Sequence, residues 1–283
     1  MLKINKILFP TDFSEAAQNA FRYALWFADK YNASIDLLHV AYPEAEPMDF
    51  PVMVAQATMD KIEIAKGMMK AFVDSGIAQV QMVQGLENLP NIRSDIKMGV
   101  PANSIAEAAT SKEVDLIIMG TQGAHSNFEK FIGSVTTTTL NRAPCPVLAV
   151  PENAQNENIK MIAYAADLQS TDPYHIWEVG KLMGTFDPIL RIVHVEKNED
   201  EKKPVNMQEL ESFFAGKTPA LQVTFHTVAA ADVAGELVDF TEAWGVDLMV
   251  MHKPKRSFFE RLFHRSVIKK EVFDSKVPLL IIK

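Results

Sequence analysis

The chain has 283 residues and a single cysteine, Cys145, so it forms no internal disulfide and builds no cysteine-based metal site. That cysteine sits in APCPVLAV, a turn feeding an apolar strand, and reads as a buried structural thiol. No apolar run approaches the ~18 residues of a membrane span. The N-terminal MLKINKILFPTDFSE has only a short apolar run before Asp12 and Glu15, unlike a signal peptide, so the expected location is the cytoplasm. Net positive charge is missing as well: the formal charge is −8, which argues against non-specific nucleic-acid binding. The seven histidines show no His-x-x-x-His or carboxylate spacing for a metal, and no Gly-x-Ser-x-Gly elbow supports a hydrolase. Neither the Gly-x-Gly-x-x-Gly fingerprint nor a Gly-Lys-Ser/Thr phosphate loop occurs.

What remains is an ordinary globular composition, 48% hydrophobic and 23% charged, organised as short apolar runs alternating with longer helical patterns. That alternation predicts a parallel sheet with crossover helices. Strands are expected at KILFP (6–10), ASIDLLHVA (33–41), AQVQMVQG (78–85), VDLIIMG (114–120) and CPVLAVP (145–151). Helices are expected over 16–31, with Ser14 as N-cap, and over roughly 53–75, 103–112 and 134–142. The polar stretch ENAQNEN (152–158) reads as a linker, after which the pattern restarts. NIKMIAYAADLQ matches KINKILFPTDFS, placing Asp167 on Asp12, and PILRIVHVE matches ASIDLLHVA, placing His194 on His39; both lie 155 residues on. WGVDLMVMHK matches KEVDLIIMGT, and VPLLIIK matches CPVLAVP, both 132 residues on. Two consistent offsets describe an internal duplication, with two α/β domains at 1–151 and 159–283. The repeated His39 and His194 point to a structural role at equivalent strand ends.

The stretch MGTQGAHSNFEKFIGS (119–134) holds three glycines. Gly120 begins the loop leaving the carboxyl edge of the fourth strand, where open parallel sheets bind ligands. Glycines there permit positive φ and close backbone approach, so that amides can face an anion. Gly133-Ser134 opens the next helix, with Ser134 as N-cap and the amide of Val135 at its positive end. Plain turns and caps explain the same glycines; the position on the sheet edge brings the binding reading level with them.

Gly-x2-Gly-x9-Gly-Ser after a DLIIMG-type strand resembles the ATP-binding pattern of the universal stress protein family, and CPVLAV and ILFPTDFSE are similar to that family too. The resemblance covers both halves. It implies a tandem member whose two domains are Rossmann-like, HUP-type, five-stranded parallel sheets flanked by helices, pairing with each other as a pseudo-dimer through their last strands. It further implies ATP, or AMP or ADP, with or without magnesium, over the carboxyl edge. Pro10, Thr11 and Asp12 would lie beside adenine and ribose, and the Val40 backbone would meet the adenine edge. Gly120, Gly123, Gly133, Ser134 and Val135 would hold ribose and phosphates, and Gly99 would complete the pocket. The nine-residue spacer offers only Lys130 and His125 where many members carry arginines, which implies weak affinity or fewer phosphates. For His125, ligand contact and simple solvation stand equal.

In the second half Gly120, Gly123 and Gly133 become His252, Lys255 and Arg265, Gly99 becomes Ala231 and Pro10 becomes Ala165; of the cradle only Ser266 matches, on Ser134. The segment is instead strongly basic, and Lys253, Lys255, Arg265 and Ser266 form a second candidate anion site. An empty, solvated loop and a pocket filled by its own side chains are the alternatives. The expected function is regulatory: an adenine-nucleotide-binding module whose occupancy changes the surface offered to an unknown protein partner, without nucleic acid or membrane, and able to form a homodimer. A slow ATPase and a nucleotide-free interaction protein are the competing readings. The loss of all three glycines from the second half suggests that the first needs them for a ligand rather than for the fold.

Overall fold

The computed structural model describes residues 4–42, 51–83, 85–122, 133–154, 158–196, 205–215, 222–252 and 276–283, without the side chains of 51–54. Contacts divide the chain into two units, Ile4–Glu152 and Asn153–Lys283. The first runs β1 (Lys6–Thr11), α1 (Glu15–Tyr31), β2 (Ser34–Ala41), α2 (Pro51–Val83), β3 (Ile92–Met98), α3 (Pro101–Ser111), β4 (Leu116–Gly120), α4 (Ser134–Arg142) and β5 (Val147–Val150). Its strands are parallel in the order β3-β2-β1-β4-β5. The second runs β6 (Met161–Ala165), α5 (Asp172–Met183), β7 (Ile189–Glu196), α6 (Met207–Phe214), β8 (Gln222–Ala229), α7 (Val233–Ala243), β9 (Leu248–His252) and β10 (Leu279–Ile282). Its sheet is also parallel, in the order β8-β7-β6-β9-β10. Both are doubly wound α/β layers, as the alternation of short apolar runs and helical stretches requires. Among the described residues no helix is long and apolar enough to cross a membrane.

The central strands are unbroken apolar runs, Leu116–Gly120 and Val147–Val150 being buried throughout, because helices cover both faces of a parallel sheet. Ser14 caps α1 by accepting the Ala17 amide, and Asn32 ends the helix in the left-handed conformation. Beneath α1 the rings of Phe9, Phe21 and Phe72 lie 5.1–6.2 Å apart, pairs worth about 0.5–1.5 kcal/mol each beyond their burial.

The duplication extends to single hydrogen bonds. The Asp115 carboxylate accepts the amides of Asn5 and Lys6 at 2.8 and 3.0 Å, and Asp247 accepts those of Lys160 and Met161, both at 2.8 Å. This is the job of the Asp in both Val-Asp-Leu runs: it ties the start of the central strand to the strand beside it. His39 and His194 each hold a carbonyl through Nδ1, that of Thr11 at 2.9 Å and that of Ala166 at 2.8 Å. A carbonyl only accepts, so both rings carry their proton on Nδ1. Positive φ recurs at Phe13 and Leu168, at Asn32 and Asp187, and at Glu113 and Gly245. A left-handed Phe or Leu is strained, so the turn after each duplicated Asp is held by its surroundings.

The third strand is not where its alternation suggests. Residues 78–83 belong to α2, whose buried positions Ala65, Met69, Phe72 and Val80 follow helical spacing, while Met82 is 86% exposed. The apparent period of two in AQVQMVQG comes from glutamines, good helix formers, between residues of which only Val80 is buried among the apolar ones that face alternately. The strand is Ile92–Met98, whose three charges, Arg93, Asp95 and Lys97, suit a sheet edge and hide the apolar pattern. The second unit replaces the 33-residue α2 with the eight-residue α6, which accounts for the change of offset.

Replacing either clamp should destabilise its own unit. Asp115→Ala and Asp247→Ala each leave two strand-end amides without their charged acceptor, so urea unfolding should show a loss of roughly 1–3 kcal/mol for each. A loss below about 0.5 kcal/mol would assign the repeated aspartates no structural role.

Candidate functional site

The strand order reverses beside β1. β1 pairs with β4 only through Ile7–Leu116 and Leu8–Ile117, whereas it pairs with β2 as far as Thr11–His39, and β4 pairs with β5 as far as Gly120–Val150. Pro10 has no N–H to extend the β1–β4 ladder, and the crevice at this carboxyl edge comes from the crossovers leaving β1 and β4 in opposite directions, the topological switch point where open α/β sheets take ligands. On its other flank β2 continues beyond its last β1 partner: Val40 and Ala41 pair with β3 but have no partner on β1. Val40 thus stands at the end of the β1–β2 ladder, at the same carboxyl edge.

The predicted site residues fall around this opening in two linked groups. Pro10 and Thr11 are buried at the end of β1. Thr11 Oγ1 accepts the Phe13 amide at 3.0 Å, and Asp12, exposed at the mouth, accepts the amide and the hydroxyl of Ser14 at 3.1 and 2.6 Å. Phe13 stacks on His39 at 4.5 Å, fixing that turn against β2. Gly99 gives its amide to Ala41, next to Val40, at 3.0 Å, with φ of +149° that a side chain rarely adopts.

The second group closes the other side. Gly133 N–H reaches Thr121 C=O at 2.7 Å, and the Thr136 hydroxyl reaches Gly120 C=O at 2.9 Å, so both ends of the glycine loop are stapled together. The N-cap of α4 is Gly133 rather than Ser134, which is the first helical residue with an exposed side chain. With Gly133 extended at φ −69° and ψ 154°, the amides of Ser134, Val135 and Thr136 precede the first intrahelical bond, from Thr137 to Gly133. Gly123, His125 and Lys130 lie outside the described residues, as do Lys253, Lys255, Arg265 and Ser266.

Gly120 needs no ligand to explain it. A Cβ there would stand 3.1 Å from Ala16 O and 3.2 Å from Ala16 C, so glycine lets the first turn of α1 lie on the strand end. The fold does use this glycine, contrary to the expectation from the sequence. In the second unit α5 starts at Asp172, two residues later than α1 at the duplicated position. The counterpart of Gly99 is Ala230, not Ala231, since Ala230 N–H makes the matching bond to Glu196 C=O at 3.0 Å. The second unit carries one extra residue between strand and helix there.

Below its strand ends the second unit differs in kind. Where the first has Phe9, Ala17, Ala20, Tyr23 and Gly120, it has Tyr164, Asp172, His175, Glu178 and His252. The Tyr164 hydroxyl donates to Asp172 at 2.8 Å, and His252 stacks on His175 at 3.6 Å. His175 Nδ1 lies 3.6 Å from Glu178 Oε2, and both ring nitrogens of His175 and that oxygen are buried without a hydrogen bond. Burial pushes the carboxyls of Asp172 and Glu178 up and the His175 imidazole down. Burial, then the Asp172 charge, pushes the Tyr164 hydroxyl up. Sequence reading missed this cluster because its members are scattered; comparing the two halves position by position finds it.

A second exchange lies farther along the sheets. Lys112 sits 3.7 Å from Asp36 and 3.3 Å from Asp95; at the matching positions Trp244 covers the Arg191 guanidinium at 4.0 Å and packs on His226 at 5.0 Å. A cavity of about 480 Å³ opens there, lined by His226, Glu236, Asp239, Phe240 and Trp244 among others. A guanidinium only donates, so the 3.3 Å contact from Arg191 makes His226 Nε2 an acceptor. Burial and the Arg191 charge together hold this imidazole below its ordinary range.

The comparisons with known proteins agree with the duplication. The model of the universal stress protein family matches residues 3–151 and 174–283. The second match resumes beyond β6 and its turn, where Tyr164 and Asp172 replace apolar residues. Two universal stress proteins of Methanocaldococcus jannaschii are 29% and 30% identical over 145 and 151 residues, each covering 51% of this chain and 81% and 93% of the relative. The crystal structure of a universal stress protein from Archaeoglobus fulgidus superposes with a TM-score of 0.68 at 20% identity, covering 100% of this chain and 97% of that one.

Two outcomes test this geometry. Thr136→Val removes the staple hydroxyl and leaves Gly120 C=O unpaired, so thermal or urea unfolding should show a loss of about 1–3 kcal/mol; an unchanged midpoint would remove the staple. For His226, with its folded pKa lowered, the unfolded chain takes up the proton first. Its contribution is intact above its ordinary value of 6.5 and is lost as pH falls through 6.5 toward the folded value. His226→Gln should therefore flatten the decline of stability in that window, measured by unfolding at a series of pH values.

Proposed function

The chain belongs to the universal stress protein family, and on that premise we propose that its first unit binds an adenine nucleotide and acts as a regulatory module. The observation that carries the reading is the switch-point edge beside β1, with the first-turn amides of α4 on one side and Val40, at the end of the β1–β2 ladder, on the other. These groups fit the ligand. The backbone at Val40 would meet the adenine edge, and helix-start amides favour phosphate oxygens. Asp12, exposed at the mouth with Oδ1 turned to Ser14, would accept ribose hydroxyls and is the carboxylate to which magnesium would come. Gly123, Gly133, Ser134 and Val135 would line the phosphate path, Gly99 would close the pocket, and His125 would meet phosphate. Holding the nucleotide rather than turning it over suits a mouth whose carboxylate is engaged in a turn. Occupancy would then alter the surface shown to a protein partner.

Thermal unfolding of the full chain with ATP, ADP and AMP tests this, alongside mass spectrometry of any ligand released on denaturing fresh protein. At one hundred times the dissociation constant, binding stabilises by about 2.7 kcal/mol, a shift of roughly 5–10 °C for a unit of this size. Asp12→Ala should weaken affinity about tenfold, the equivalent of one charged hydrogen bond. Absence of any shift with all three nucleotides would reject the reading, and rapid phosphate release abolished by Asp12→Ala would make the chain an ATPase instead.

A further inference from the structure

The two units treat the flank between their outer strand and the next helix differently. In the first, β3 and α3 carry their charges in pairs: Lys97 lies 3.9 Å from Glu107, and Lys112 lies 3.7 Å from Asp36 and 3.3 Å from Asp95. The strand registers match Lys97 with Val228, since Val40 pairs with Lys97 and Val195 with Val228. Along the helices Ser104, Glu107 and Lys112 match Glu236, Asp239 and Trp244, 132 residues on. The second unit keeps the acidic residue, adds another about one turn before it, and puts apolar side chains in place of both lysines. Among the described residues the side chains of Glu236 and Asp239 make no ion pair and no hydrogen bond. Where the first unit has its lysines, the second has space. The cavity of about 480 Å³ runs along β8, whose residues 225–228 all line it, and is bounded by Glu236, Asp239, Phe240 and Trp244. Their spacing puts these four on one flank of α7. The rings of Phe240 and Trp244 lie 5.9 Å apart. Arg191 does not supply the missing charge, because its guanidinium is engaged by the Trp244 ring at 4.0 Å and by Thr224 and His226, both at 3.3 Å. His226 adds none, since burial and Arg191 hold its pKa low.

We propose that the groove between β8 and α7 binds an alkylammonium group, with Glu236 and Asp239 on the ammonium and Phe240 and Trp244 against the chain that carries it. Two unpaired carboxylates accept ammonium N–H bonds, and aromatic faces suit both a cation and its methylenes. The volume admits a small organic molecule. A bare divalent metal ion is poorly served, because it takes about six close oxygens and this wall offers two carboxylates among rings. The site belongs to the second unit and stands apart from the nucleotide reading of the first.

Isothermal titration of the full chain at low salt tests this, with diaminopentane as the free amine, N-acetyl-lysine amide as the protein side chain and pentanediol as the uncharged control. An amine should bind saturably and the diol should not. Binding of diaminopentane alone makes a free amine the source, and binding of the lysine amide makes it a side chain; either supports the site. Glu236→Gln and Asp239→Asn should each weaken binding about fivefold, the low end for a charged hydrogen bond at a solvent-screened position. Val228→Lys, which restores the lysine of the first unit, should weaken it at least about tenfold while the melting temperature stays level or rises. No saturable binding of either amine, or equal binding of the diol, overturns the proposal. Affinity unchanged in both carboxamide variants overturns it as well, and Val228→Lys decides the same point if either of those fails to fold.

Discussion

In a doubly wound parallel sheet the crossovers leave in opposite directions only where the strand order reverses, and the carboxyl edge there stays uncovered. Here that place is the carboxyl end of β1, between strands that lead in opposite directions from the centre of the sheet. The clamp lies at the other end, where Asp115 ties the start of β1 to β4 through two amides. The nearby turns serve this geometry: Phe13 is held at a positive φ against His39, and the Thr136 hydroxyl keeps α4 beside Gly120.

The second unit shows what the same scaffold becomes when the residues at that edge change. Clamp, histidine latch and left-handed turns are all kept, which identifies them as requirements of the fold. The residues under the strand ends are not kept, and they change together from apolar and small to titratable. A buried imidazole with neither nitrogen bonded carries a desolvation cost of about 1–3 kcal/mol, borne by a unit with a much shorter crossover helix. The polar cluster occupies the region that, in the first unit, underlies the crevice.

Much of this was legible in the sequence. Two constant offsets located four of the five duplicated strands, and the same offsets hold in their registers, because insertions fall in crossovers and leave pairing untouched. The third strand was not legible: Ile92–Met98 is an edge strand with charges at Arg93, Asp95 and Lys97, and its signal was weaker than the glutamine-spaced end of α2. The α4 cap was misplaced by one residue because a serine after glycine satisfies the capping preference in sequence, whereas the backbone turns at Gly133. The polar cluster beneath the second edge was invisible because Tyr164, Asp172, His175 and His252 meet only through tertiary packing.

The glycines show why sequence contrast alone can mislead. Their loss from the second half suggested that only a ligand required them, yet at Gly120 a Cβ would press on the backbone of Ala16 at 3.1 Å. In the second unit α5 starts two residues later, so the helix differs there as well as the edge. Gly99 is a different case, since its φ of +149° excludes other residues on backbone grounds, and the second unit avoids it with an extra residue. Gly120 accommodates a neighbour and Gly99 shapes a turn, whereas Pro10 withholds from β4 an N–H that its counterpart Ala165 carries, so each of the three replacements has its own local backbone cause.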